Sequence, residues 1–199
     1  MELVLACGRV DLHIDRLAAG YLAVRGHRDD VHLVVAGDGP YRGELEALLG
    51  ASATFTGFLQ GEDLARVYAS CDVFVFPSTT DTLGRAVAEA QASGLPAVVC
   101  KTGGPRECIR PGVSGFVADP EDEEAFVSKI ELLLEDTKLR GRMGLAARRF
   151  AASMSWEAVL DGLIELHSRL ARGQARDGDS GRGQQFSRHE LARKPEAHG

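Results

Sequence analysis

The sequence predicts an α/β protein built on a single doubly wound, Rossmann-like domain with a parallel sheet of about six strands. Three observations predict it. Short unbroken apolar runs such as VHLVVA, VFVF and AVVC recur along the chain. Helix-periodic segments of about 10–15 residues separate them. Gly, Pro and Asp cluster where a run gives way to a helix. Strands covered on both faces read as continuous apolar runs, and helical connections between them require parallel pairing.

The elements follow in order. ELVLACG (2–8) reads as a first buried strand and residues 15–27 as a helix. VHLVVAG (31–37) is the second strand, closed by DGP, and YRGELEALLG (41–50) a helix ended by Gly50. ATFTG (53–57) is a short strand, GEDLARVYASC (61–71) a helix, and Asp72 leads into the strand VFVFPS (73–78). After a loop come the helix RAVAEAQASG (85–94) and the strand PAVVC (96–100). GGPRECI (103–109) is a turn into a short helix, and GVSGFVAD (112–119) holds a hairpin-like turn and the last strand. Three helical segments follow, at about 121–135, 137–152 and 155–171. In the last, Trp156, Leu160, Leu163 and Leu166 recur at helical spacing. Packing on the domain's own core is the favoured reading of that stripe over a docking face.

The domain therefore spans residues 1–171, and 172–199 form a disordered polar tail rich in Gly, Arg and Gln. That tail has one isolated Phe186 and too little apolar surface to offset the entropy of ordering. Ligands of doubly wound sheets bind beyond the carboxyl ends of the strands. The loops at 8–14, 37–41, 57–61, 77–85 and 100–107 are the places to look.

Composition narrows the function. The chain has 199 residues, 44% hydrophobic and 26% charged, with a net charge of −6. Coating a nucleic acid needs a basic face, so a nucleic-acid partner is not expected. Cys7, Cys71, Cys100 and Cys108 form no CxxC pair, and buried free thiols in a reducing cytosol are the favoured reading. No apolar run approaches the ~18 residues that span a bilayer. The expected location is cytoplasmic, with peripheral contact at a membrane through a region outside this chain. No metal is expected, because no ligand cluster has metal spacing.

Three loops carry chemistry-capable residues. GDGPYRG (37–43) follows a strand, but its spacing is not a dinucleotide fingerprint and no acid ends the next strand. A tight turn with Pro40 at the first helical position explains it. In TTDTLGRAVAEA the N–H groups of Leu83, Gly84 and Arg85 can converge on an anion at a helix start. Asp81 can accept from hydroxyls at the same spot, and Glu89 can bridge two vicinal hydroxyls. A helix cap by Asp81 or Thr82 and an ion pair between Arg85 and Glu89 explain the same residues equally well. In KTGGPRECI, Gly103 and Gly104 can aim amides outward beside Arg106 and Glu107, or simply form a turn.

The stretch DVFVFPSTTDTLGRAVAEAQASGLPAVVCKTGGPRECIRPGVSGFVADP, preceded by VHLVVAGDGPYRGELEALL and FTGFLQGEDLARVYASCD, resembles the C-terminal half of family 4 retaining glycosyltransferases of the GT-B fold. The likeness covers about residues 3–168, with its motifs in order. It implies a nucleotide-sugar-binding domain whose substrate is a UDP-sugar or GDP-sugar, with no further cofactor. Asp81, with the amides of Thr82, Leu83 and Gly84, would hold the donor sugar and diphosphate. Glu89 would hold the ribose, Gly57 and Phe58 would lie by the base, and Gly8 and Arg9 by the diphosphate. Asp81 and Arg9 would carry the catalytic roles.

Two departures from the family pattern stand out. The family follows Gly-Arg with a Glu-Lys-Gly segment, whereas this chain reads GRVDLHIDRLAAGY. His13 is the nearest substitute cation, since Arg16 falls on the helix; loss of one cation at a diphosphate costs about 1.5–3 kcal/mol. The resemblance also implies that the N-terminal GT-B domain, which meets the acceptor, is missing from this chain. The expectation is thus a hexosyl-transfer domain whose isolated form is inactive. That domain would serve a sugar or lipid hydroxyl acceptor at a membrane surface, with its partner domain in cis or in trans. The alternative is an inactive remnant or interaction module of the same fold. A nicotinamide oxidoreductase is disfavoured for want of a fingerprint.

Overall fold

The computed structural model describes residues 2–7, 14–154 and 156–171. Among these residues six strands form one sheet: β1 (Glu2–Cys7), β2 (Val31–Ala36), β3 (Ala53–Gly57), β4 (Val73–Phe76), β5 (Ala97–Cys100) and β6 (Gly115–Ala118). Seven α-helices accompany them among the described residues: α1 (Ile14–Arg25), α2 (Arg42–Leu49), α3 (Gly61–Ser70), α4 (Arg85–Ala92), α5 (Glu123–Glu135), α6 (Thr137–Ser153) and α7 (Trp156–Ala171). Chain contacts divide the protein into two compact units, Met1–Ala158 and Val159–Gly199.

All strand pairs are parallel, in the order β3-β2-β1-β4-β5-β6. The chain winds outward from β1 through β2 to β3, then returns to β4 on the other side and winds outward to β6. The winding reverses between β1 and β4, the position in doubly wound sheets at whose carboxyl ends ligands bind. The fold class read from the sequence is the one observed.

Period-2 alternation divides the central strands between two cores. Val73 and Val75 of β4, Leu33 and Val35 of β2 and Val98 of β5 pack with Leu17, Val24, Phe126 and Leu133 on the α1 and α5 face. Phe74, Phe76, Val34 and Val99 point the other way, onto Tyr68 and Val87 of α3 and α4. All four residues of β4 and of β5 are buried, so neither strand can show a polar face. Phe74, the largest of the fully buried side chains, lies in the second core.

Capping explains the later boundaries. Asp122 accepts from Ala125 N at 2.8 Å to open α5, and Asp136 accepts from Leu139 N at 2.8 Å to open α6. Against α4, α6 packs so closely that a Cβ on Gly144 would lie 2.4 Å from the Gly94 carbonyl oxygen.

Several expectations shift. The short helix expected at 103–109 is a 3-10 turn, Gly104–Cys108, with Pro105 near its start. Pro40 does not open α2, because Arg42 N bonds back to Gly39 O at 3.2 Å and the helix begins at Arg42. The turn before β6 resembles a hairpin (Gly112 N to Gly115 O, 2.8 Å), yet β6 pairs with β5 in parallel. In α7, Leu160, Leu163 and Leu166 are exposed, so these three leucines are not core residues; the Trp156 side chain lies outside the described residues. Residues 172–199, read as a tail, also lie outside them.

Candidate functional site

Strand β4 ends at Phe76, and the loop that follows is built from side chain to backbone. Ser78 Oγ accepts from the Asp81 amide at 3.2 Å. Asp81 Oδ1 then accepts from Leu83 N at 2.9 Å and Gly84 N at 2.6 Å. Gly84 has φ +62°, the left-handed region, immediately before α4. The cap expected of Asp81 or Thr82 is not formed: Gly84 is the N-cap residue of α4 and has no side-chain cap bond, and Asp81 instead closes the loop ahead of the helix, its carboxylate occupying two of the amides expected to face a ligand.

A glycine turn from the end of β5 supports this loop from beneath. Gly104 N donates to Asp81 O at 2.9 Å. A Cβ on Gly104 would lie 2.0 Å from Thr82 O, and one on Gly84 would lie 2.6 Å from Pro105 Cα. The Cys108 thiol donates to Leu83 O at 3.3 Å. Burial pushes the Cys108 thiol above its ordinary pKa, with Asp81 adding a smaller push, so it stays protonated and able to donate. Gly103 and Gly104 thus serve close backbone contact and support, whatever the ligand.

Glu89, one turn into α4, is held on both oxygens. Arg85 Nε donates to Oε1 at 3.2 Å, and the Tyr68 hydroxyl lies 3.2 Å from Oε2. The Arg85 side chain is 88% exposed, whereas Tyr68 is 2% exposed.

Asp81, Arg85 and Glu89 line a cleft of about 790 Å³ together with Gly37, Asp38 and Phe58. Gly37 N donates to Gly57 O at 2.9 Å, tying the loop after β2 to the end of β3. Phe58 is 73% exposed at the rim, an aromatic face open to a flat ring. Of the residues expected at the site, Asp81, Glu89 and Phe58 line this cleft. Gly57 stands behind it at φ +71°, with a Cβ there 3.1 Å from Arg42 Nη1. Leu83, exposed, lies with Thr82 and Gly84 on the loop beside Asp81. Gly8 and Arg9 lie outside the described residues.

Sequence reasoning missed Asp38 and Gln60 as lining residues and Tyr68 as a partner of Glu89, whereas it placed Arg85 at the site through its amide and its pair with Glu89. Asp38 sits in the GDGP turn, where an acid next to a strand end was the available signal. Its carboxylate accepts from Gly39 N at 2.8 Å and lies 3.8 Å from Arg42. Among the described residues, no group of three His, Cys, Asp or Glu side chains is arranged to hold a metal ion.

The sequence model of the family described as glycosyl transferases group 1 matches residues 13–150. The chain belongs to the group 1 glycosyl transferases. The sulfoquinovosyl transferase SQD2 of Arabidopsis thaliana is 43% identical over 134 residues, covering 65% of this chain and 26% of that protein. A GDP-mannose-dependent alpha-mannosyltransferase of Mycolicibacterium smegmatis is 40% identical over 153 residues, 76% of this chain and 38% of that one. The chain thus spans between a quarter and two fifths of the length of these curated relatives.

Solved structures agree on the GT-B architecture. Sucrose-phosphate synthase from Thermosynechococcus elongatus superposes with a TM-score of 0.71 at 27% identity, covering 86% of this chain and 46% of that one. Anabaena HepE, solved with UDP and glucose, matches with a TM-score of 0.66 at 25% identity, covering 83% and 48%. The C-terminal domain of LpcC from Francisella tularensis, at 20% identity, shares the fold with a TM-score of 0.70, covering 77% of this chain and 85% of that domain. The chain is a glycosyltransferase domain of GT-B fold, a Rossmann-like unit.

Proposed function

We propose that this domain binds a nucleoside-diphosphate sugar, UDP- or GDP-linked, for retaining transfer of a hexosyl unit to a hydroxyl acceptor. The observation that carries the proposal is the cleft in which Asp81, Glu89 and Phe58 converge beyond the carboxyl ends of the strands. In this reading Phe58 and Gly57 flank the base, Glu89 accepts from the ribose hydroxyls, and Asp81 reaches the sugar. The diphosphate lies toward the start of α4, where amides and helix dipole favour negative charge. Catalysis is positioning plus stabilisation of the leaving diphosphate by fixed donors, with Arg9 as the charged one.

The HepE complex with UDP and glucose supports the donor class, because that protein shares the fold at 25% identity over 83% of this chain. The mannosyltransferase relative, whose name specifies GDP-mannose, keeps the guanine nucleotide in view. The acceptor, a sugar or a lipid at a membrane surface, would be met by a partner GT-B domain in cis or in trans. Among the described residues no helix is long and apolar enough to cross a membrane.

A second reading is favoured by one sequence observation, the absence of the family's Glu-Lys-Gly segment after Gly8-Arg9. In it the domain is an inactive remnant or interaction module. Calorimetry of the full chain with UDP and GDP separates the two. Donor binding predicts a measurable affinity that Arg9→Ala and Glu89→Ala each weaken; silence with both nucleotides favours the remnant.

A further inference from the structure

We propose that Tyr68 is a positioning residue for Glu89, fixing which carboxylate oxygen is presented to the cleft; the proposal rests on the donor-binding reading. Tyr68 stands on α3 and Glu89 on α4, 21 residues apart. The Tyr68 ring is buried against Phe74, with centroids 6.0 Å apart, so its hydroxyl has little freedom to wander. That hydroxyl lies 3.2 Å from Glu89 Oε2 and 3.3 Å from Ala86 O. One proton serves two acceptors, and the charged carboxylate is the stronger of them.

The two supports of Glu89 differ in kind. Arg85 reaches Oε1 from solvent, on a long side chain whose exposed ion pair holds weakly and is readily exchanged for a ligand. Tyr68 reaches Oε2 from the core and stays in place when a ligand arrives. The carboxylate is thus anchored by its inner oxygen, and Oε1 is the oxygen offered to hydroxyls in the cleft. Without the anchor, Glu89 is free to turn both oxygens toward Arg85 and away from a ligand diol. A residue that acts through Glu89 in this way must affect recognition of the ribose hydroxyls specifically.

A purely structural role for the hydroxyl, satisfying Ala86 O, makes a different prediction. Tyr68→Phe keeps the ring and its packing and removes only the oxygen. Dissociation constants for UDP, GDP and their 2′-deoxy forms are measured by calorimetry on the full chain, alone and in the Glu89→Ala background. If Tyr68 positions Glu89, Tyr68→Phe weakens the better-bound nucleoside diphosphate about tenfold, ~1.4 kcal/mol. It also lowers the preference for the ribose over the deoxyribose form. In the Glu89→Ala background the same change costs less than about twofold, since interacting residues are non-additive. The ribose-to-deoxyribose ratio is read on one sample, so partial unfolding of the variant cannot mimic the result. Wild-type ratio and affinity in Tyr68→Phe, with Glu89→Ala still weakening binding, overturn the positioning role alone. No binding of either nucleotide by the wild type overturns the donor reading and this inference with it.

Discussion

Asp81 Oδ1 lies 2.6 Å from the Gly84 amide nitrogen, and the same oxygen accepts from Leu83 at 2.9 Å. The acid that the donor reading aims at a sugar holds the loop that leads into α4. Asp81→Ala removes the acceptor from two loop amides and should cost about 1 kcal/mol, the net worth of a typical hydrogen bond. In a chain of this size that lowers Tm by about 2–4 °C. Asp81→Asn keeps an acceptor and should lose less than half of that. Alanine also leaves both amides open to an external anion. Added pyrophosphate should therefore raise the Tm of Asp81→Ala by more than that of the wild type. Equal shifts in a thermal-shift titration would count against an anion site at these amides.

The fold was legible because its signals are local. The unbroken runs VFVF and AVVC are strands buried on both faces, and the Asp residues before α5 and α6 cap the helices they precede. Asp81 and Glu89 were equally legible as candidates, but sequence spacing left cap and ion pair level with ligand contact. The Arg85–Glu89 pair is formed, and Asp81 bonds the loop amides before α4 instead of capping it, so local interactions and a ligand role share the same atoms. The Tyr68–Glu89 contact and the Gly37–Gly57 bridge were not legible, because only the order of the parallel strands brings those pairs together. The α7 leucines show the converse failure: helical periodicity identifies an apolar stripe but does not say what covers it.

Close backbone packing sets a sharp contrast among glycines. Gly104→Ala places a Cβ 2.0 Å from Thr82 O and 2.4 Å from Thr82 C, and both neighbours are backbone. The loop must move, at a cost of about 3 kcal/mol or more, the range of severe strain and overpacking. At Gly141, within α6, a Cβ meets nothing within 4 Å. Gly141→Ala should stabilise by about 0.5–1 kcal/mol through helix propensity and a less flexible unfolded chain. Urea unfolding of the two variants checks both signs. A neutral Gly104→Ala would mean that the loop is not seated on the turn.

Three buried thiols should be slow to react in the native protein. Burial is the largest cause in each: it pushes Cys71 up to about 12, with Asp72 adding to the shift, and raises Cys100 and Cys108 above their ordinary value. The thiolate is the reactive form, so little of it is present at pH 8. In a Cys7→Ser variant, labelling of the native chain by a disulfide reagent should be at least about tenfold slower than in denaturant, because buried thiols in apolar surroundings are inert. Comparable rates in the two states would show that these sites open readily.

The Lys101 ammonium and the Asp119 carboxylate join the ends of β5 and β6 at the surface, beside the bond from Lys101 N to Ala118 O at 2.8 Å. The hydrogen bond from Lys101 holds the Asp119 carboxyl below the usual carboxylate range, and the same contact raises Lys101. A lowered acid stabilises the fold above its unfolded pKa, about 3.9, and that stability is lost as pH falls through the folded value. A raised lysine stabilises below about 10.4 and loses its contribution as pH climbs through the folded value. The stabilisation is therefore flat across neutral pH and fades at both extremes. Asp119→Asn should lower Tm slightly and by a constant amount between about pH 5 and 9, with the gap from wild type closing below about pH 3. Added salt should narrow the gap at neutral pH, because both partners face solvent. Thermal melts across pH read the difference directly. A gap that persists unchanged in acid would assign the effect of the substitution to packing of the side chain and not to its charge.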